Sequence, residues 1–221
     1  MVRIFAVLLV ATVAGGLVFN ATTVAMPKLF AERLSGIAQT TVGIGALVCL
    51  VYVLAAFAQL CVGRLIDNRP LHAVFLPIAA CQAPLLLLAA TLDNAAMLGV
   101  SIAFMFAIFG QIPINDAMVA RCVDDEWRSR VFAVRYVISF GASSLSVPLV
   151  SILHERGGFS FMYVVLAGIA LTVFLAALAF PRRIGGQPAA SLAAAVAISP
   201  SSPRPRPTAL PADVPGSTGS D

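Results

Sequence analysis

The sequence predicts an all-α integral membrane protein with six transmembrane helices. Three observations lead there. Six hydrophobic stretches of spanning length follow one another between Ile4 and Phe180. Hydrophobic residues make up 60% of the 221 positions and charged residues 11%, against about 25% charged in an ordinary soluble domain. The basic residues gather in short clusters at the ends of the stretches. A helix rises about 1.5 Å per residue, so about 20 apolar residues cross a hydrocarbon core about 30 Å thick. A buried core in water rarely needs six helices that are apolar all round.

The spans are predicted at Ile4–Met26, Thr41–Val62, Ala73–Leu92, Ala95–Val119, Val131–Leu153 and Phe159–Phe180. The first carries one Arg before a long apolar run and ends at Thr23-Val24-Ala25. That run exceeds the roughly 7–15 residues of a signal-peptide core, so it reads as a span. Met26-Pro27-Lys28 looks like its end, and Pro27 to Gln39 reads as an outer loop. Gly63–His72 joins the second and third spans, and Asp93-Asn94 makes a tight hairpin between the third and fourth. The most charged segment, Arg121–Arg130, joins the fourth and fifth, with Trp127 suited to the membrane interface. His154–Gly158 closes the hairpin before the sixth. Pro77, Pro84, Pro113 and Pro148 fall inside spans, where neighbouring helices can satisfy the carbonyls they free.

Residues 1–181 thus form one transmembrane domain. Residues 182–221 are rich in Pro, Ala and Ser and read as a disordered tail that cannot bury a core. With the N-terminus inside, eleven of the fourteen Lys and Arg lie on the cytoplasmic side. The positive-inside rule then places both termini in the cytoplasm of a cell inner (plasma) membrane. The net charge of +4 is topological. No aromatic-laced basic patch suggests a nucleic-acid partner. Cys49, Cys61, Cys81 and Cys122 have no paired spacing, so neither a disulfide framework nor a metal site is expected.

Chemistry is sought among polar residues at depth, because they are expensive there. The candidates for a cavity or a coupling site are Asn20, Gln82, Gln111, Asn115, Asp116 and Arg135. Gln111 and Asn115 are four apart and share a helix face. Asp116 has two readings. It is either a proton- or ion-coupling carboxylate beside a polar cavity, or the partner of Arg121 or Arg135 at the cytoplasmic rim. Asn20 and Gln82 serve either as interhelical glue or as cavity lining. An enzyme is not expected. His72 and His154 are predicted on opposite sides of the membrane, and no metal-ligand cluster, nucleophile elbow or phosphate loop is present. No cofactor is implied.

The segment Gly63-Arg64-Leu65-Ile66-Asp67-Asn68-Arg69-Pro70-Leu71-His72 resembles the signature loop of the major facilitator superfamily, G-x-x-x-D-[RK]-x-G-[RK]-[RK]. Gly63 and Asp67 match at the family's spacing, and the segment falls between the second and third helices of a six-helix half. Asn68, Pro70 and Leu71-His72 depart from the pattern, and Arg69 supplies a cation one position late. Such erosion resembles the family's C-terminal copy. Glu126–Ala133 is similar to the basic inner loop between the fourth and fifth helices of a half. The antiporter glycine cluster is absent from the fifth span.

The resemblance implies one half of a major facilitator fold, built of two inverted three-helix repeats and working by alternating access. It implies a cytoplasmic gating role for Gly63, Arg64, Asp67 and Arg69. Because a full transporter of this kind has two halves, it also implies a second six-helix half, as a homodimer or a separate chain. The other reading is a non-transporting membrane subunit or a transporter remnant. Substrate, coupling ion and direction are not legible in the residues.

Overall fold

The computed structural model describes residues 2–123 and 125–179, without the side chains of residues 2–6, 122, 125 and 128. The predicted tail at 182–221 and the end of the sixth span lie outside the described residues. All described elements are helical: α1 (Val2–Arg33), α2 (Thr41–Asn68), α3 (Leu71–Ala89), α4 (Asn94–Cys122) and α5 (Asp125–Ala179). Among the described residues five helices are long and apolar enough to cross a membrane. This is the make-up of an all-α, multi-pass membrane protein.

The fifth helix is interrupted. At about 1.5 Å per residue, its 55 residues far exceed one crossing. Its backbone leaves the helix at Gly157 (φ −164°, ψ 21°) and Gly158 (φ 65°, ψ −167°). The arm before the break runs alongside α1. Ser143 meets Asn20, and His154 meets Glu32. The arm after the break returns. Ser160 meets Arg33 at one end of α1, while Val173, Ala176 and Ala177 cluster with Val7 and Leu8 at the other.

Arg121–Arg130, expected to join two spans, is helical up to Cys122 and again from Asp125. Two other expected boundaries move for local reasons. Met26-Pro27 does not end α1, which continues through Pro27 to Arg33. Pro27 lacks an N–H and so frees the Thr23 carbonyl. The Tyr52 hydroxyl of α2 donates to that carbonyl at 2.9 Å, so the helix crosses its proline without an orphaned acceptor. Tyr52→Phe is therefore expected to lower stability by about 0.5–1.5 kcal/mol. The shift in unfolding midpoint in detergent reads it, and no shift removes this account of Pro27.

The second correction concerns Gly63–His72, expected as a loop. Gly63 to Asn68 are the last turns of α2, and Leu71 and His72 already belong to α3. Only Arg69 and Pro70 connect them. A residue before proline is disfavoured in helical geometry, and Arg69 is extended (φ −130°, ψ 153°). Pro70 thus stops α2 one residue ahead of itself.

The buried apolar residues form two clusters. One holds Val18, Leu29, Phe30, Leu86, Phe104, Ile108 and Tyr163. The other holds Val7, Ala11, Phe75, Ala79, Ile114, Met118 and Val173. Along α3 and α4 the boundary falls at Gln82 and Gln111, so a polar layer near mid-depth divides the core.

Candidate functional site: a polar cavity between three helices

Gln82 (α3) and Gln111 (α4) are buried, with 1% and 4% exposure. Gln82 Nε2 donates to Gln111 Oε1 at 2.7 Å and to the Ala107 carbonyl at 3.4 Å. Gln111 Nε2 donates to the Ala11 carbonyl of α1 at 3.4 Å. Two amides therefore tie three helices. Gly15 makes the tie sterically possible, because a Cβ there would lie 2.5 Å from Gln111 Nε2. Gln82→Leu is expected to destabilise by about 0.6–1.7 kcal/mol, from the average to the maximum measured for interhelical hydrogen bonds in a membrane protein. In a double-mutant cycle with Gln111→Leu the two losses should fall short of additive. Strict additivity would mean that the amides do not interact.

Beside this tie lies a cavity of about 290 Å³ walled by α1, α4 and the first arm of α5. Each helix brings residues at a spacing of four, which places them on one face. From α1 come Thr12, Gly16 and Asn20; from α4, Gln111 and Asn115; from α5, Arg135, Ser139 and Ser143. Asn20 is oriented on both sides. Its Nδ2 donates to the Gly16 carbonyl at 2.8 Å, and its Oδ1 accepts from the Ser143 hydroxyl at 2.8 Å. Phe19, Tyr136 and Phe140 are its aromatic lining residues.

Three buried polar atoms on residues lining this cavity have no hydrogen-bond partner: Thr12 Oγ1, Asn115 Oδ1 and Arg135 Nε. Buried polar groups are nearly always paired, and in an apolar medium an unpaired one is strongly unfavourable. Three such atoms belong to residues that line one cavity.

Asp116 pairs with Arg135 Nη1 across α4 and α5. Of the two partners open in the sequence, the structure selects Arg135. Arg121 instead donates to the Ile66 carbonyl at 3.0 Å and stands 4.0 Å from Asp67 Oδ1. Asp116 is about half exposed and does not line the cavity, whereas Arg135 does.

The six cavity candidates therefore separate. Asn20, Gln111, Asn115 and Arg135 share the cavity, Gln82 braces it through Gln111, and Asp116 holds Arg135 from outside. Gly63, Arg64, Asp67 and Arg69 lie apart, at the end of α2 and its connection to α3. Among these four only Asp67 meets another helix through its side chain in the described contacts, at Arg121. Thr12 and Ser143 escaped the sequence reading as cavity residues. Their signal was the four-residue spacing Thr12–Gly16–Asn20 and Arg135–Ser139–Ser143, which Gly and Ser hide as mere packing surface.

Among the described residues no group of three or more His, Cys, Asp or Glu could hold a metal ion. No family model, no curated protein and no solved structure matches this chain.

Proposed function

We propose that the chain is a half-transporter of the major facilitator type, moving a small solute by alternating access. The observation that carries this reading is the mid-depth cavity between α1, α4 and the first arm of α5, with its three unpaired buried polar atoms. A bundle with only a structural role in lipid gains nothing from such a cavity. A solute path requires one.

The break at Gly157-Gly158 supports six spans, because the two arms of α5 run in opposite directions past α1. The bias of basic residues supports placing both ends of those six spans in the cytoplasm. The contact between Asp67 and Arg121 supports a role for the Gly63–Arg69 segment at the cytoplasmic rim, as the resemblance implies. The cavity also favours a second six-helix half. Two of its lining residues, Tyr136 and Phe140, are 56% and 72% exposed. A polar cavity that opens on such a face is unfavourable against lipid tails and favourable against a partner helix bundle.

Native mass spectrometry of the full chain in lipid nanodiscs tests the reading. A dimer, or a co-purifying six-span chain, is the expected result. A strict monomer would defeat it in favour of a non-transporting subunit or a transporter remnant.

A further inference from the structure

The unpaired groups of the cavity differ in what they demand. Arg135 is the one charged residue among the described residues that line it. Its Nη1 is taken by Asp116, while Nε is buried without a partner. The guanidinium edge formed by Nε and Nη2 is the edge that grips a planar carboxylate through two parallel hydrogen bonds. Thr12 and Asn115, 5% and 8% exposed, add a hydroxyl that can donate and an amide whose oxygen has no partner to fix its orientation. Phe19, Tyr136 and Phe140 add aromatic surface to the lining.

We infer that this cavity binds a small organic monocarboxylate, its carboxylate on Arg135 and its apolar body against the aromatic side chains of the lining. A volume of about 290 Å³ falls at the lower end of ligand pockets, which suits a single ring or a branched chain. A cationic ligand meets the wrong sign. A dianion brings a second charge that has no second cation and lies near Asp116. A neutral solute leaves the Arg135 edge without the charged acceptor it fits best. The inference rests on the proposed function for the claim that the anion is cargo; the binding itself is measured apart from transport.

The test uses the full chain in phosphatidylcholine nanodiscs, with benzoate as the probe and benzyl alcohol and benzylammonium as its neutral and cationic counterparts. Calorimetry should show saturable benzoate binding, at least tenfold tighter than either counterpart. Arg135→Gln should weaken benzoate at least tenfold, and Arg135→Lys less, because a point charge lacks the planar fork. Asp116→Asn removes the carboxylate that shares Arg135, so benzoate should bind more tightly. A merely structural ion pair predicts no such gain.

Arg135→Gln leaves Asp116 unpaired and can fail to fold. The double variant D116N/R135Q keeps a neutral amide pair and should fold without binding. Equal binding of the three probes, or unchanged benzoate binding in the double variant, would overturn the inference. Displacement of benzoate by added phosphatidylglycerol would also overturn it, by assigning the site to a lipid headgroup. Uptake of labelled benzoate into proteoliposomes is scored separately. Binding without uptake defeats the transport reading and leaves the site; uptake indifferent to Arg135→Gln defeats the site and leaves transport.

Discussion

Replacing Gly157 and Gly158 together by alanine is expected to lower stability strongly. The two glycines are needed for different reasons. Gly158 has φ 65° and ψ −167°, a region essentially closed to residues with a Cβ, and forcing one there costs about 1–3 kcal/mol. At Gly157 the backbone is not the obstacle. A Cβ there would lie 2.6 Å from the Cβ of Phe161, an atom fixed to the main chain that cannot swing aside. The reversal must open to admit it. Opening the reversal disturbs what the returning arm packs, including Phe159, Tyr163 and Leu166, all buried in the first apolar cluster.

Each single alanine should therefore lower the midpoint of unfolding in detergent, and the double variant should lower it further. Gly16→Ala is the control. It adds a methyl in helical backbone with nothing within 4 Å, and should be neutral or slightly stabilising. Equal midpoints for Gly16→Ala and Gly158→Ala would show that the reversal does not depend on its glycines.

Arg33→Met is the second substitution expected to have a large effect. The Arg33 side chain is 15% exposed and joins three parts of the fold at one end of the bundle. Nη1 donates to the carbonyls of Ala90 and Leu92 at 3.4 and 3.0 Å, and Nη2 donates to the Ser160 hydroxyl at 2.7 Å. The carbonyls that end a helix have no partner within it, so an arginine brought from α1 satisfies acceptors that α3 cannot satisfy itself. Methionine keeps the aliphatic stem and removes every donor. The expected loss is roughly 1.5–3 kcal/mol, the range for hydrogen bonds to a charged group.

The neighbouring ion pair is a lesser contribution. Asp93 Oδ1 lies 3.5 Å from Arg33 Nη1 but its side chain is 63% exposed, and exposed pairs contribute little. Asp93→Asn should therefore change the midpoint far less than Arg33→Met. If the two substitutions cost the same, the ion pair and not the carbonyl contacts holds this end together.

Arg33 shows what a sequence hides. Read along the chain it is one of three outer cations, useful only for topology. Its role appears when the ends of α1, α3 and the returning arm of α5 meet. Tyr52 is similar. Nothing in the sequence links it to Pro27, yet its hydroxyl lets α1 run through that proline. Asp116 was legible by halves. The sequence narrowed its partner to Arg121 or Arg135, both within reach on a helical reading. The choice fell to helix rotation, which points Arg121 at the end of α2 and Arg135 at α4. The expected loop at Gly63–His72 was misplaced for a local reason, since only Pro70 forbids helix there and the residues up to Asn68 are free to continue α2.

The sequence by itself determined the class of protein. Apolar runs long enough to cross a bilayer are a local property, counted residue by residue, and a backbone in lipid has little choice but to form helices. The polar residues at depth were legible for the same reason, because each is conspicuous against its own neighbours. Which of them meet was decided only by the tertiary structure. Gln82 finds Gln111 across 29 residues of chain, Gln111 finds Ala11 across 100, and Asn20 finds Ser143 across 123. Those pairings depend on how each helix is rotated and where it crosses the others, and that is set by the fit of all the packed faces at once.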